Sequence, residues 1–216
     1  MFHVRPELAG HPDRLRWNAR YQQGFAASFA AHPLAARALA MQLPEGPVLD
    51  LACGPSGSSL LAASKRCLVT AVDASDVALR LLGEEARRRQ LTGLISLVHA
   101  DLGAWRPQPG SYSLVLCTGY WDRDLFPAAA AAVAAGGLLG WEAFTADALR
   151  ARPGMPPAWC LGPGQPASLL PAGFDVLSQR DLPDSEAGAR RQLLARRRAA
   201  AGPTGADLPG GEGRAG

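Results

Sequence analysis

Three aspartates, Asp50, Asp73 and Asp101, each close a short apolar run, and the first opens a glycine-bearing turn, Asp50-Leu51-Ala52-Cys53-Gly54-Pro55-Ser56-Gly57. Such a turn lets a ligand approach the backbone closely, and a helix starting at Ser58 offers its unpaired N–H groups. Asp73 stands 23 positions beyond Asp50, where a carboxylate can accept both hydroxyls of a ribose. Asp101 with Leu102 suits an exocyclic amine and an adenine face. A fourth run ends in Cys117-Thr118-Gly119-Tyr120-Trp121, where the reacting end of the ligand is expected. A strand-terminal Asp is equally a turn or cap residue, and Ala52-x-Gly54-x-x-Gly57 is a weakened dinucleotide pattern. Three such aspartates in register with the turn are the stronger signal. Charge then selects among ligands: a pyrophosphate over the turn would face Asp50 at low effective dielectric, where repulsion is costly. A nucleoside with ammonium and sulfonium cations and no phosphate, as in S-adenosylmethionine (SAM), suits the same carboxylate.

The elements that must position these residues alternate. Val48 to Leu51 reads as a buried strand, followed by a helix over Ser58 to Lys65, a strand over Cys67 to Val72 and a helix over Asp76 to Gln90. In that helix Val77, Leu81 and Leu82 point inward and Arg87-Arg88-Arg89 outward. Ile95 to Val98 and Tyr112 to Cys117 read as strands, Phe126 to Ala135 as a helix, and Leu138 to Ala143 and Phe174 to Ser178 as further strands. The alternation predicts an α/β fold, a parallel sheet with helices on both faces, whose ligands sit beyond the carboxyl ends of the strands. Ahead of it, Pro12-Asp13 opens a helix over Leu15 to Phe29 with Trp17, Tyr21, Phe25 and Phe29 on one face, and Pro33 to Gln42 forms a second. Arg152 to Pro166 is a Pro- and Gly-rich loop with the length of a lid. Arg190 to Arg198 has helix propensity, yet the sheet would accept a closing edge strand there.

Composition sets the outer limits. With 216 residues, 48% apolar and 19% charged, the chain suits one globular domain with a buried core. A net charge of +3 is too small to argue for nucleic acid. Cys53, Cys67, Cys117 and Cys160 are scattered and outline neither a metal site nor a disulfide framework, as expected of reduced thiols in a cytoplasmic protein. The four histidines, His3, His11, His32 and His99, have no ligand spacing, so no metal is expected. The N-terminal stretch lacks the apolar run of a signal peptide, and the run from Phe126 to Trp141 is too short to span a bilayer.

These motifs resemble the class I SAM-dependent methyltransferases. Val48 to Gly54 is similar to the family's first motif, Ala71-Val72-Asp73-Ala74-Ser75 to its second and His99-Ala100-Asp101-Leu102 to its third. Ser113 to Cys117 resembles the fourth strand and Gly136-Gly137-Leu138-Leu139 the turn into the fifth. Asp122 to Phe126 and Trp141 to Thr145 resemble the small-molecule branch with tellurite-resistance and thiopurine methyltransferases. The resemblance implies a Rossmann-like, doubly wound, seven-stranded sheet, mostly parallel with an antiparallel last strand, so that Arg190 to Arg197 is strand. It divides the chain into N-terminal helices covering the cofactor (1–46) and a SAM-binding domain (47–200), and the Gly- and Pro-rich composition of 201–216, with few apolar side chains, predicts a disordered tail. It also implies that Asp50, Ala52, Cys53, Gly54, Ser56 and Gly57 hold the methionine part. Asp73, with Ala74 and Ser75, would hold the ribose, Asp101 and Leu102 the adenine, and Trp17, Arg20 and Tyr21 would cover the cofactor beside Cys117.

Tyr120, Trp121, Asp122 and Arg123 are the candidates to line the acceptor side, for a small molecule with an S, O or chalcogen nucleophile. Asp122 and Asp124 also suit the cap of the next helix, and Asp124 is read as that cap. The chain departs from the family at Ser56, where glycine is usual, and at Gly57, where a longer side chain is usual. A Ser56 side chain either crowds the methionine moiety or bonds its carboxylate. Three rival readings are a nucleic-acid methyltransferase, a nicotinamide-dependent oxidoreductase and a non-catalytic SAM-binding relative. Thr118-Gly119-Tyr120 replaces the Pro-Pro-aromatic signature of the first, Asp50 disfavours the second, and only Ser56 hints at the third.

Overall fold

The computed structural model describes residues 4–23, 28–182 and 188–199. Phe25, His3 and the tail expected over 201–216 lie outside them. The strands are β1 (Val48–Leu51), β2 (Val69–Asp73), β3 (Ile95–His99), β4 (Tyr112–Thr118), β5 (Val133–Phe144), β6 (Phe174–Leu182) and β7 (Arg190–Arg197). They form one seven-stranded sheet in the order β3-β2-β1-β4-β5-β7-β6. The strands from β3 to β5 are parallel to their neighbours, and β7 runs antiparallel to both β5 and β6. The helices are α1 (Pro12–Gln22), α2 (Pro33–Leu39), α3 (Gly57–Ser64), α4 (Asp76–Arg88) and α5 (Leu125–Ala132). Among the described residues no helix is long and apolar enough to cross a membrane.

Alternation along the strands sorts the core into two layers. Leu49, Leu51, Val115, Cys117, Leu139 and Trp141 face α5, whereas Val48, Leu114, Leu116 and Leu138 face the layer of α2, α3 and α4. The α5 side is anchored by Trp121, Phe126 and Trp141, with Phe126 and Trp141 edge-on at 5.1 Å and Trp121 and Trp141 edge-on at 6.1 Å. Burying each ring contributes roughly 2–3 kcal/mol. This cluster sits beneath the end of β4, where the residues expected to line the acceptor side begin.

Several expectations about elements change, β6 among them, which runs on past Ser178 to Leu182. α1 ends at Gln22, so Phe29 lies outside it, in the segment that leads to α2. α2 stops at Leu39, short of Gln42. α5 stops at Ala132 and β5 starts at once: the Ala131 and Ala132 carbonyls accept from Gly110 and Ser111, and Val133 pairs with Tyr112. β7 is a strand, as the family resemblance implies, but an interior one, with β6 at the edge. Its Leu193, Leu194 and Ala195 are buried on the two faces, and pairing on both sides overrides local helix propensity.

Candidate cofactor and acceptor clefts

Strand parity decides where Asp50 points. It lies on the α3 side of β1, buried, and Oδ2 accepts from the Ser56 hydroxyl at 2.6 Å and the Ser59 hydroxyl at 2.7 Å. Ser56 is the N-cap of α3, its Oγ accepting from the Ser59 N–H at 3.0 Å. Burial raises the Asp50 carboxyl above its ordinary value, against the pull of the two hydroxyls. Asp50 therefore acts from behind the turn: it fixes the first turn of α3 and does not line the cleft. The Ser56 hydroxyl is committed to Asp50 and to the helix start. Gly57 is bare for a separate reason, since a Cβ there would sit 2.3 Å from the Ala30 carbonyl oxygen. The segment before α2 crosses α3 at that point.

Asp73 closes β2 and does reach the cleft. Its Oδ2 accepts from the Gly54 N–H at 2.8 Å and its Oδ1 from the Ser75 N–H at 2.7 Å. Burial pushes its carboxyl up to about 6, opposed by these two N–H groups and reinforced by the charge of Asp50. The turn is thus tied to the second strand by the carboxylate that faces the ligand space. Ala52, one of the turn's residues, holds φ at +48°, a left-handed conformation that costs a side-chain-bearing residue of the order of 1 kcal/mol.

The expected cofactor residues converge on one cleft of about 450 Å³ at the carboxyl ends of the strands. Trp17, Arg20, Tyr21, Ala52, Cys53, Gly54, Ser56, Gly57, Asp73, Ala74, Asp101 and Leu102 all line it. Asp50, Ser75 and Cys117 do not. Ser75 is fully buried as the N-cap of α4, accepting from the Ala78 N–H at 3.0 Å. Cys117 points into the α5-side core by the same alternation that aims Asp50 the other way, and its thiol donates to the Tyr120 carbonyl at 3.6 Å. His99 donates from Nε2 to the Ala74 carbonyl at 3.0 Å and so holds the turn after β2.

α1 is brought over this cleft by a residue the sequence reading passed over. Asn18 is buried, receives the Ser75 hydroxyl at 2.6 Å and donates to Asp76 Oδ1 at 2.8 Å, where Arg14 Nε also donates at 2.6 Å. With Asn18 docked on the start of α4, Trp17 and Tyr21 fall over the turn, their rings stacked at 6.0 Å. The other end of the N-terminal segment is pinned by His32. Its backbone N–H donates to Ser58 Oγ at 3.1 Å and its Nε2 meets Glu142 Oε2 at 3.1 Å. Glu142, buried near the end of β5, also receives Arg190 Nη1 at 3.0 Å and Gln192 Nε2 at 2.7 Å. Burial raises its carboxyl, but the hydrogen bonds from His32, Gln192 and Arg190 and the charge of His32 prevail and bring it to about 2.

A second cavity of about 620 Å³ adjoins the first and shares Asp13, Trp17, Gly119, Tyr120, Phe144 and Arg152 with it. All four expected acceptor residues, Tyr120, Trp121, Asp122 and Arg123, line it. The Tyr120 carbonyl is fixed by the Trp141 indole N–H at 3.1 Å. Burial, with the charge of Asp122, holds the Tyr120 phenol well above its usual range, so it stays protonated. Asp122 Oδ1 accepts from the N–H groups of Asp124 and Leu125 at 2.8 and 2.9 Å and so opens α5, whereas Asp124 makes no capping bond. The cap therefore belongs to Asp122 and not to Asp124. Sequence reasoning missed the roles of Phe144, Arg152, Arg190 and Trp159, although Phe144 ends a strand as the recognised residues do.

The basic run at the end of β7, Arg196 to Arg198, is engaged elsewhere. Arg196 donates to the carbonyls of Gln42 and Gly136, Arg197 to those of Ala131 and Val133, and Arg198 to Asp175. Among the described residues no group of three or more His, Cys, Asp or Glu side chains is placed to hold a metal ion.

Residues 48–137 match the family model of the methyltransferase domain. No curated protein matches the chain significantly. Solved structures share its fold, that of the Rossmann-like methyltransferases. One, from work on the conversion of a disulfide bond into a thioacetal group during echinomycin biosynthesis, is 17% identical with a TM-score of 0.62, over 86% of this chain and 93% of that one. TehB from Haemophilus influenzae is 19% identical with a TM-score of 0.61, over 84% of this chain and 67% of that one. Geranyl diphosphate C-methyltransferase from Streptomyces coelicolor A3(2) was solved with Mg2+, geranyl-S-thiolodiphosphate and S-adenosyl-L-homocysteine (SAH). It is 15% identical with a TM-score of 0.57, over 90% of this chain and 84% of that one.

Proposed function

We propose that this chain is a SAM-dependent methyltransferase that transfers a methyl group to a small-molecule nucleophile. The observation that carries the proposal is Asp73: a strand-terminal carboxylate, fixed by two backbone N–H groups, facing the cleft beside the turn from Ala52 to Gly57. Each of its oxygens keeps a lone pair for a ribose hydroxyl. The turn from Ala52 to Gly57 would hold the methionine part, Leu102 and Asp101 the adenine, and Trp17, Arg20 and Tyr21 the cover. SAM, when bound, would supply an activated methyl group on a sulfonium, with a neutral thioether as its leaving group.

The chain's own contribution is to bind, align and exclude water. Tyr120, Trp121, Asp122 and Arg123 line the space where the acceptor would approach. With Tyr120 held protonated, its phenol serves as a donor and not as a base. An acceptor that is already ionised, or that loses its proton to solvent, fits such a site. The engaged arginines of β7 favour a small acceptor over a nucleic acid. The small-molecule branch and a cytoplasmic location belong to the same reading, the latter on four free cysteines. Thermal melting with SAM, SAH and NADH tests it: SAM and SAH are expected to raise the midpoint, and a rise with NADH alone would overturn the reading.

A further inference from the structure

We propose that the acceptor is a flat organic acid whose anionic group is held by Arg152; this rests on the methyl-transfer reading above. The acceptor cavity, at about 620 Å³, is of the size that encloses drug-sized ligands and far exceeds an inorganic oxyanion. Its walls include Trp17, Tyr120, Phe144 and Trp159, which offer flat faces to a planar body.

Aromatic walls alone would equally suit a cationic acceptor. Here Trp17, Phe144 and Trp159 already carry guanidinium groups. Arg16 lies 4.3 Å from the Trp159 centroid and 5.5 Å from that of Trp17, and Arg20 lies 5.8 Å from Trp17. Arg152 and Arg190 lie 4.8 and 4.7 Å from the centroid of Phe144. At any of these three rings an ammonium ligand would have to displace one cation and sit beside others. Two of the cavity's three carboxylates are engaged as well, Asp13 by Arg16 at 2.8 Å and Asp122 by the backbone at the start of α5, and the third, Asp124, is exposed to solvent.

Arg190 is neutralised by Glu142 at 3.0 Å. Arg152 differs: it is half-buried, lines both cavities, and among the described residues no carboxylate or carbonyl meets its guanidinium. It is a planar fork of donors at the junction where acceptor and cofactor must meet, which is the geometry that recognises a carboxylate.

The test is isothermal titration of the full chain with naphthoate and its neutral counterpart naphthamide, each with and without SAH. Naphthoate is expected to bind about tenfold more tightly than naphthamide. Arg152→Gln should erase that difference and Arg152→Lys retain part of it, with melting curves of both variants checking that they fold. Equal binding of the two probes, preference for naphthamide, or binding of neither would overturn the proposal. Loss of SAH affinity in Arg152→Gln with naphthoate binding intact would assign the guanidinium to the cofactor and overturn it too. Failure of SAH to bind the wild-type chain would instead remove the methyl-transfer reading, while the probe pair without SAH still judges the cavity.

Discussion

The Ser56 hydroxyl donates to Asp50 Oδ2 at 2.6 Å while accepting from the Ser59 N–H at 3.0 Å. One side chain thereby satisfies a buried carboxylate and caps the helix that begins the ligand cleft. The residue that departs from the family pattern is a structural part of the turn. Ser56→Ala removes both bonds. Loss of an N-cap and of a hydrogen bond to a charged group together amount to about 2 kcal/mol. Urea denaturation should show that loss, and Ser56→Gly should show a smaller one, since glycine is a tolerated N-cap and only the bond to Asp50 is lost in full. A Ser56→Gly variant of unchanged stability would mean that the hydroxyl is dispensable.

Ala52 presents the opposite case. Its φ of +48° is strained for alanine, so Ala52→Gly is expected to raise stability by about 1 kcal/mol. Denaturation midpoints of the two proteins check the sign, and a lower midpoint for glycine would contradict it.

Much of this site was legible because strand ends are visible in a sequence: a short apolar run followed by Asp and a small residue marks one place in space. Twelve cleft residues were found that way or by family resemblance. The direction of each side chain was less legible. Asp50 and Cys117 lie next to the cleft in the chain, yet strand parity, which depends on which helix covers which face, turns both away from it. The contributions of Asn18, His32, Arg152 and Arg190 depend on distant partners, Asp76, Glu142 and Phe144, that no local pattern announces. The interior position of β7 was hidden because its composition favours a helix and only pairing with β5 and β6 reverses that preference.

Glu142 links the sheet to the N-terminal segment, and its acidity predicts an acid limb in stability. Its carboxyl is held at about 2 in the folded chain, below the ordinary 4.5 or so of an unfolded glutamate. A depressed carboxyl stabilises above the unfolded value and loses that contribution as pH falls through the folded one. The contribution, about 3 kcal/mol, should therefore be complete above about pH 5 and vanish toward about pH 2. Glu142→Gln should be less stable than wild type at neutral pH, with the gap closing over that window in pH-dependent melting. A constant gap would contradict the account.

Asp73 has the opposite sign. Its carboxyl is raised to about 6, so in the free protein it favours the fold when protonated, below about pH 4, and that advantage fades as pH rises through 6. Ligand binding needs the ionised form to accept two hydroxyls. SAH affinity is accordingly expected to weaken as pH drops from about 7 to about 5, and Asp73→Asn should bind weakly without that inflection. Titration calorimetry across the range checks both.

Titration of the wild-type chain with SAH near neutral pH, beside Asp73→Ala, addresses the central claim most directly. The account predicts one site per chain, weakened by about tenfold or more in the variant, and no competition from NADH. Absence of any binding at millimolar SAH, or identical binding by Asp73→Ala, would contradict it.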